Sequence, residues 1–330
     1  MIDIHTHVVP EHFPQPPHAG CGGWPCMRHG GSGAMLAIGG KDVRQLDARS
    51  WDVDTRLAAM DVEGADIHVL SPMPDLLGYA LGADDGLSLA RAVNTAIAAM
   101  VRRAPARFVG LGTVPLQDVD LAIAELPRLK HDLGLAGIEA GAFIGGDPLG
   151  SPRFLPLFEA LQALDLALFV HPVRTGVAAP SCGLPPELAV NLIDYPVDQG
   201  RCVTAFLGYA IRAQVPGLRV AFAHGGGSFA TILPRLQVAW ERNARTAALF
   251  GASPIELARG LFFDTLVYEP PLLRMLVDLL GVGSLCIGSD EPFEIRQPRP
   301  GDRLDALGLS PADLTAILAG NARRFLGMTT

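Results

Sequence analysis

A chain of 330 residues that is 49% apolar and only 18% charged has ample material for a core, which excludes intrinsic disorder. Its formal charge of -8 excludes a general affinity for nucleic acid or anionic lipid, since both need a cationic surface. Five scattered cysteines (Cys21, Cys26, Cys182, Cys202, Cys286) exclude a disulfide framework and point to a reducing compartment. The opening MIDIHTHVVP lacks a basic-then-apolar leader and no uninterrupted apolar run is long enough to span a bilayer, so the expected location is the cytoplasm, with no membrane partner.

In chain order, short apolar runs alternate with helix-like stretches. The runs are MIDIHTH (1–7), ADIHVLS (65–71), FVGLGTV (108–114), GIEAGAF (137–143), ALFVHPV (167–173), RVAFAHG (219–225), LFFDTLV (261–267) and LCIGSDE (285–291). Continuous apolar character without strict alternation marks strands buried on both faces, and helical crossovers between them impose parallel pairing. Eight such units predict one α/β domain, a (β/α)8 TIM barrel. Helical periodicity covers Val53–Val62, Leu87–Ala104, Leu121–Leu133, Arg153–Leu164, Pro186–Arg212, Ser228–Phe250, Pro270–Leu280 and Pro311–Leu326. Asp118 and Ser310-Pro311 supply start signals for two of these. Residues 10–52 break the rhythm, being rich in Gly, Pro and Cys with no long periodic segment, and are expected to form a small insertion on the first βα loop.

Chemistry-bearing residues gather at the ends of the predicted strands. His5 and His7 lie two apart on the first strand, so both imidazoles point to one face at the barrel end where active sites form. His171 ends the fifth strand and His224 the sixth, each after an apolar run with little reason of its own to finish in imidazole. Asp290 follows the eighth, where a buried carboxylate needs a cation. Three nitrogens and one carboxylate oxygen suit Zn2+ and are compatible with Mn2+ or Fe2+. Other signals are weaker. Cys21, Cys26 and His29 lack a fourth ligand for a zinc knuckle, HGGGS lacks the residues of a phosphate loop, and neither Ser228 nor Ser289 sits in a nucleophile elbow.

The segments DIHTHVVP, CGGW, Val43 through WDVDTRLAAMD to MPDLLGY, VPLQD, FVHP, AHGGGSFA, GSDEPF and GNARRF resemble the amidohydrolase superfamily. Within it they resemble the α-amino-β-carboxymuconate-ε-semialdehyde decarboxylase (ACMSD) group, over nearly the whole chain. The resemblance implies His5, His7, His171 and Asp290 as metal ligands, His224 as a general acid/base, and Arg44 near the substrate. It further implies a homodimer in which Arg235 reaches the neighbouring subunit's site. Lys41 and Arg174 would add positive charge for a small carboxylic acid substrate. Three departures bear on the substrate: Val173-Arg174 after the fifth-strand histidine, Glu291 for the tyrosine of GSDYPF, and Glu139 for a glutamine on strand four. Arg174 and Glu291 would alter the charge beside the metal, and Glu139 would make a hydrogen bond behind it.

The activity expected is non-oxidative decarboxylation of a small unsaturated or aromatic acid, with Asp290 helping to return a proton to carbon. The alternative is hydrolysis of an amide, lactone or carbon–carbon bond at the same metal-activated water.

Overall fold

The computed structural model describes residues 1–31, 33–174 and 183–328; Cys182 lies outside them. Eight strands, Ile2–Val8, Ile67–Pro72, Phe108–Gly112, Gly137–Gly141, Ala167–His171, Val220–Phe222, Phe262–Asp264 and Leu285–Cys286, form one sheet in chain order, every pair parallel. The last segment returns to the first through bridges Asp3–Ile287 and Thr6–Glu291. Ile4 N–H donates to Ile287 O at 2.9 Å and Asp290 N–H to His5 O at 2.9 Å. Closure removes the open sheet edges and brings the eighth strand's end against the first. The architecture is the expected (β/α)8 barrel.

Two apolar layers hold it. Ile4, Val69, Leu111, Phe169 and Ala221 belong to a cluster with Phe325 and Leu326 of the last helix, while Leu70, Ile138, Leu168, Val170, Phe222 and Phe263 pack with the surrounding helices. Each strand is thus covered on both sides, which explains the unbroken apolar runs. Asp118 caps its helix by accepting from Leu121 N–H, and Ser310 does the same for Asp313 N–H. Among the described residues no helix is long and apolar enough to cross a membrane.

Two long periodic stretches are broken rather than continuous. The span expected as Pro186–Arg212 runs through a wide turn, Val190–Asp194, into Tyr195–Gly208, and then stops where Ala210 takes a left-handed conformation (φ 53°). The span expected as Ser228–Phe250 splits at Asn243, whose side chain accepts from Arg245 N–H and Thr246 N–H and starts a second helix. Local hydrogen bonding by a short polar side chain outweighs periodicity there.

The segment after the first strand also holds more order than its composition suggests. Pro25–Gly30, Gly33–Ile38 and Lys41–Asp47 form an antiparallel three-stranded sheet, with Gly39 and Gly40 both left-handed at the second turn. The glycines that hide the strands from a periodicity search are the residues that permit the turn.

Candidate metal centre and pocket

At the strand ends the predicted residues converge. One ligand atom each from His5, His171, His224 and Asp290 fall within 4.8 Å of one another. His7 joins from the side of His5 and Asp290: its Nε2 lies 3.1 Å from His5 Nε2 and 3.2 Å from Asp290 Oδ1. Donors bound to one zinc at about 2.0–2.2 Å stand about 3–3.5 Å apart at near-tetrahedral angles, so these separations suit a shared ion.

The remote nitrogens decide what the near ones can do. His7 Nδ1 lies 2.9 Å from Pro72 O, and His171 Nδ1 lies 2.6 Å from Pro172 O. A carbonyl only accepts, so both Nδ1 atoms carry the hydrogen and both Nε2 atoms present a bare lone pair. His5 Nδ1 faces the Asp264 carboxylate at 2.6 Å, which fixes the same tautomer. With both rings neutral, as ligands must be, two lone pairs face each other at 3.1 Å, and the buried His171 Nε2 has no hydrogen-bond partner. Three neutral imidazoles and a buried carboxylate in this arrangement fit a divalent cation.

Charge leads to the same place. Burial pulls His5 down, yet the Asp290 charge and the Asp264 hydrogen bond outweigh it and hold His5 up at about 10. For His7, burial is likewise outweighed, chiefly by the charge of Glu139. His171 is driven well below the usual imidazole range by burial, then by the charges of His7, His224 and His5. Asp290, despite burial, is held well below the carboxylate range by positive charge at His5 and by the imidazoles of His224 and His7 beside it. The acids demand positive charge that the crowded imidazoles cannot all accept as protons, whereas one divalent ion supplies it.

His224 differs from the other three. Its Nε2 stands 3.9 Å from Asp290 Oδ2, its Nδ1 has no partner, and its side chain is 15% exposed. No carbonyl or carboxylate pins its tautomer, so either nitrogen can carry a proton. The backbone holding it is strained: His224 has φ 55° and the three following glycines are all left-handed. A Cβ on Gly227 would meet Pro196 O at 2.2 Å, so the HGGG run serves close packing.

Asp264 is the functional residue the sequence reading missed. Besides His5 Nδ1–H, it accepts from the N–H groups of His224, Gly225 and Leu266 at 2.9, 2.8 and 3.0 Å. Burial raises its pKa, but the His5 hydrogen bond and charge bring it below the ordinary carboxylate value. An acid ending the apolar run LFFD was the available signal, the same one that picked out Asp290. Glu139, fully buried, places Oε2 3.5 Å from His7 Nδ1. It stands behind the imidazole, away from the face where the Nε2 atoms meet.

A cavity of about 260 Å³ opens onto His171, His224 and Asp290, walled by Tyr195, Leu266, Tyr268, Leu272, Phe293 and Ile295. Arg44 lines it. Three other basic residues proposed for the substrate do not. Lys41 starts an insertion strand and is exposed, Arg174 is exposed, and Arg235 is exposed on the helix Phe229–Arg242. Glu291 turns away from the histidine cluster to two arginines. It is 1% exposed and paired with Arg49 at 2.7 Å and with Arg296, tying the eighth-strand loop to the end of the insertion. Val173 is buried, with its methyl groups close to Gly141.

A family model described as Amidohydrolase matches residues 2–328. The chain belongs to the amidohydrolase family. Among its relatives, this amidohydrolase is 33% identical over 331 residues to the 2-amino-3-carboxymuconate-6-semialdehyde decarboxylase of Dictyostelium discoideum, covering 99% of this chain and 91% of that one. It is 30% identical over 308 residues to the gamma-resorcylate decarboxylase of a Polaromonas species, covering 86% and 90%. Its fold matches the apo crystal structure of Metarhizium anisopliae IDCase with a TM-score of 0.81 at 22% identity, covering 99% and 97%. The amidohydrolase is thus an ACMSD-like member of its superfamily, and its His/Asp cluster is suited to a divalent metal.

Proposed function

We propose that this amidohydrolase is a metal-dependent, non-oxidative decarboxylase of a small aromatic or unsaturated carboxylic acid. His5, His7, His171 and Asp290 hold the ion and His224 moves the proton. The observation that carries the assignment is the set of three tautomer-fixed imidazoles gathered around one carboxylate, beside a fourth imidazole whose tautomer no carbonyl or carboxylate pins. The named activities of the Dictyostelium and Polaromonas relatives support the reaction class.

The mixed nitrogen and oxygen donor set makes zinc the first choice, with manganese or iron as alternatives. Bound there, a divalent ion supplies Lewis acidity toward a substrate oxygen or water. The chain's own residues do the rest. Decarboxylation replaces a C–CO2 bond by a C–H bond, so an acid must deliver a proton to carbon. His224 is the imidazole at the cavity wall with an unpinned tautomer, and Asp290, 3.9 Å away, would exchange a proton with it on closer approach. Leu266, Leu272, Phe293 and Ile295 give an apolar wall for the reacting ring or diene. Arg44 donates to an oxygen of the substrate.

We also infer a homodimer in which Arg235 contributes to the partner's pocket. Supporting this, Arg235 is exposed on the helix Phe229–Arg242 and so is available to a neighbouring subunit.

The test is incubation of zinc-loaded protein with a panel of aminocarboxymuconate semialdehyde and hydroxybenzoic acids, following CO2 and product mass together. Loss of one CO2 from the substrate supports the reading. A product that has gained water, with no CO2 released, replaces it with a hydrolase.

A further inference from the structure

We infer that Asp75 is a specificity-determining residue. By compensating Arg44, it makes the pocket take an acid with one carboxylate and a neutral oxygen where a second carboxylate would sit. The inference rests on the decarboxylase reading and narrows its substrate class.

Among the described residues lining the cavity, Arg44 is the one cation. Its Nε donates to Asp75 Oδ2 at 2.9 Å and its Nη2 lies 2.8 Å from the same oxygen. The Asp75 side chain is only 8% exposed, and the Arg44 Cζ sits 4.3 Å from the centre of the Phe293 ring. Pairing and stacking together fix the guanidinium plane and leave Nη1 without a hydrogen-bond partner among the described residues, on a side chain that lines the cavity.

The consequence is electrostatic. The Arg44 corner still offers a hydrogen bond, but its charge is offset by an ion partner held at contact distance. A second carboxylate entering there would leave water for a guanidinium whose charge is already offset, beside the Phe293 ring, and its desolvation would go unmatched. A hydroxyl or carbonyl accepts the same Nη1 hydrogen bond at a much smaller desolvation penalty. Neither Lys41 nor Arg174 lines the cavity to supply the missing charge. An Arg235 arriving from a second copy would leave the Arg44–Asp75 pair as it is.

Two ring acids separate the cases: gamma-resorcylate, with one carboxylate flanked by hydroxyls, and hydroxyisophthalate, with a second carboxylate. Binding of each to the zinc-loaded protein is measured by calorimetry. Wild type should bind gamma-resorcylate about ten-fold more tightly or better. Asp75→Asn, which keeps shape and a hydrogen bond, should raise hydroxyisophthalate affinity about ten-fold and change gamma-resorcylate by less than about three-fold. The double variant Arg44→Gln/Asp75→Asn removes both charges and should restore a preference for gamma-resorcylate. Equal or tighter wild-type binding of hydroxyisophthalate, failure of gamma-resorcylate to bind, or an unchanged ratio in Asp75→Asn each overturns the assignment. CO2 release on the same acids keeps the two readings apart. Release with a preference for hydroxyisophthalate removes the charge selection and leaves the decarboxylase. The predicted binding ratios with no CO2 from any acid remove the decarboxylase and leave the selection.

Discussion

Asp264→Asn is the sharpest test of how the centre is built, because the substitution keeps shape and removes charge. The carboxylate accepts four hydrogen bonds at 2.6 to 3.0 Å, two at each oxygen, and is fully buried. An amide turns one oxygen into a donor, so two of the four N–H groups lose their acceptor and face another donor. At roughly 1–3 kcal/mol for each buried unsatisfied group, the metal-free protein should lose about 2–6 kcal/mol. With about 2–4 °C per kcal/mol in domains of this order, its melting temperature should fall by about 4 °C or more. Bound ion favours the rotamer whose oxygen still faces His5, so the tautomer survives, but the negative charge that raises His5 basicity is gone. Ion affinity should therefore drop by about 10–100-fold. Competition against a chelating indicator reads the affinity, and thermal melts with and without ion read the fold. Ion binding within about two-fold of wild type by a variant that melts normally would refute the reasoning, since neither the charge nor the four acceptors would then matter.

The other predictions divide the site by role. His171→Ala should lose both ion and activity, whereas His224→Asn should retain the ion by elemental analysis and lose about 10²-fold or more in turnover. Equal turnover by wild type and His224→Asn would take His224 out of the proton path. Mixing inactive Arg235→Ala with inactive His224→Ala protein should restore partial activity, because hybrid dimers contain one intact composite site; no rescue after verified subunit exchange contradicts the shared site. His68 is buried, and its pKa is driven well below the ordinary value by burial and then by the charges of Arg56 and Arg107. Below about pH 6.5 the unfolded chain takes up a proton there that the fold refuses. Stability of wild type relative to His68→Gln should then fall by about 1.4 kcal/mol per pH unit as pH drops below that point and be flat above it, a difference denaturant melts can follow.

Why some of this was legible in the sequence follows from what one chain can report. Strands buried on both faces must be apolar throughout, so a polar residue at the end of such a run stands out, and His5, His7, His171, His224 and Asp290 were all found that way. Asp264 satisfies the same rule at the end of LFFD but competes with no neighbouring histidine for notice, and its role appears only when the barrel closes and brings it to His5. The insertion strands were invisible for a different reason: two of the three are largely exposed or half-buried, so no burial pattern marks them. Glu291 was misplaced because the loop after strand eight turns it away from the cavity and toward Arg49 and Arg296, which come from the end of the insertion and from its own loop.

The same limit applies to substrate charge, and there it has functional weight. Counting Lys41, Arg44, Arg174 and Arg235 in the sequence suggests a cationic pocket for a small carboxylic acid. Folding leaves one of the four on the cavity wall and gives that one a buried carboxylate partner, from a segment thirty-one residues away along the chain. A side chain's charge enters recognition only net of what already touches it, and sequence spacing says nothing about that neighbour. Within a shared barrel and a shared metal centre, an acid such as Asp75 can therefore change which substrate is taken without altering a ligand or a proton donor. That is why the substrate is better sought among acids with one carboxylate than inferred from the number of arginines.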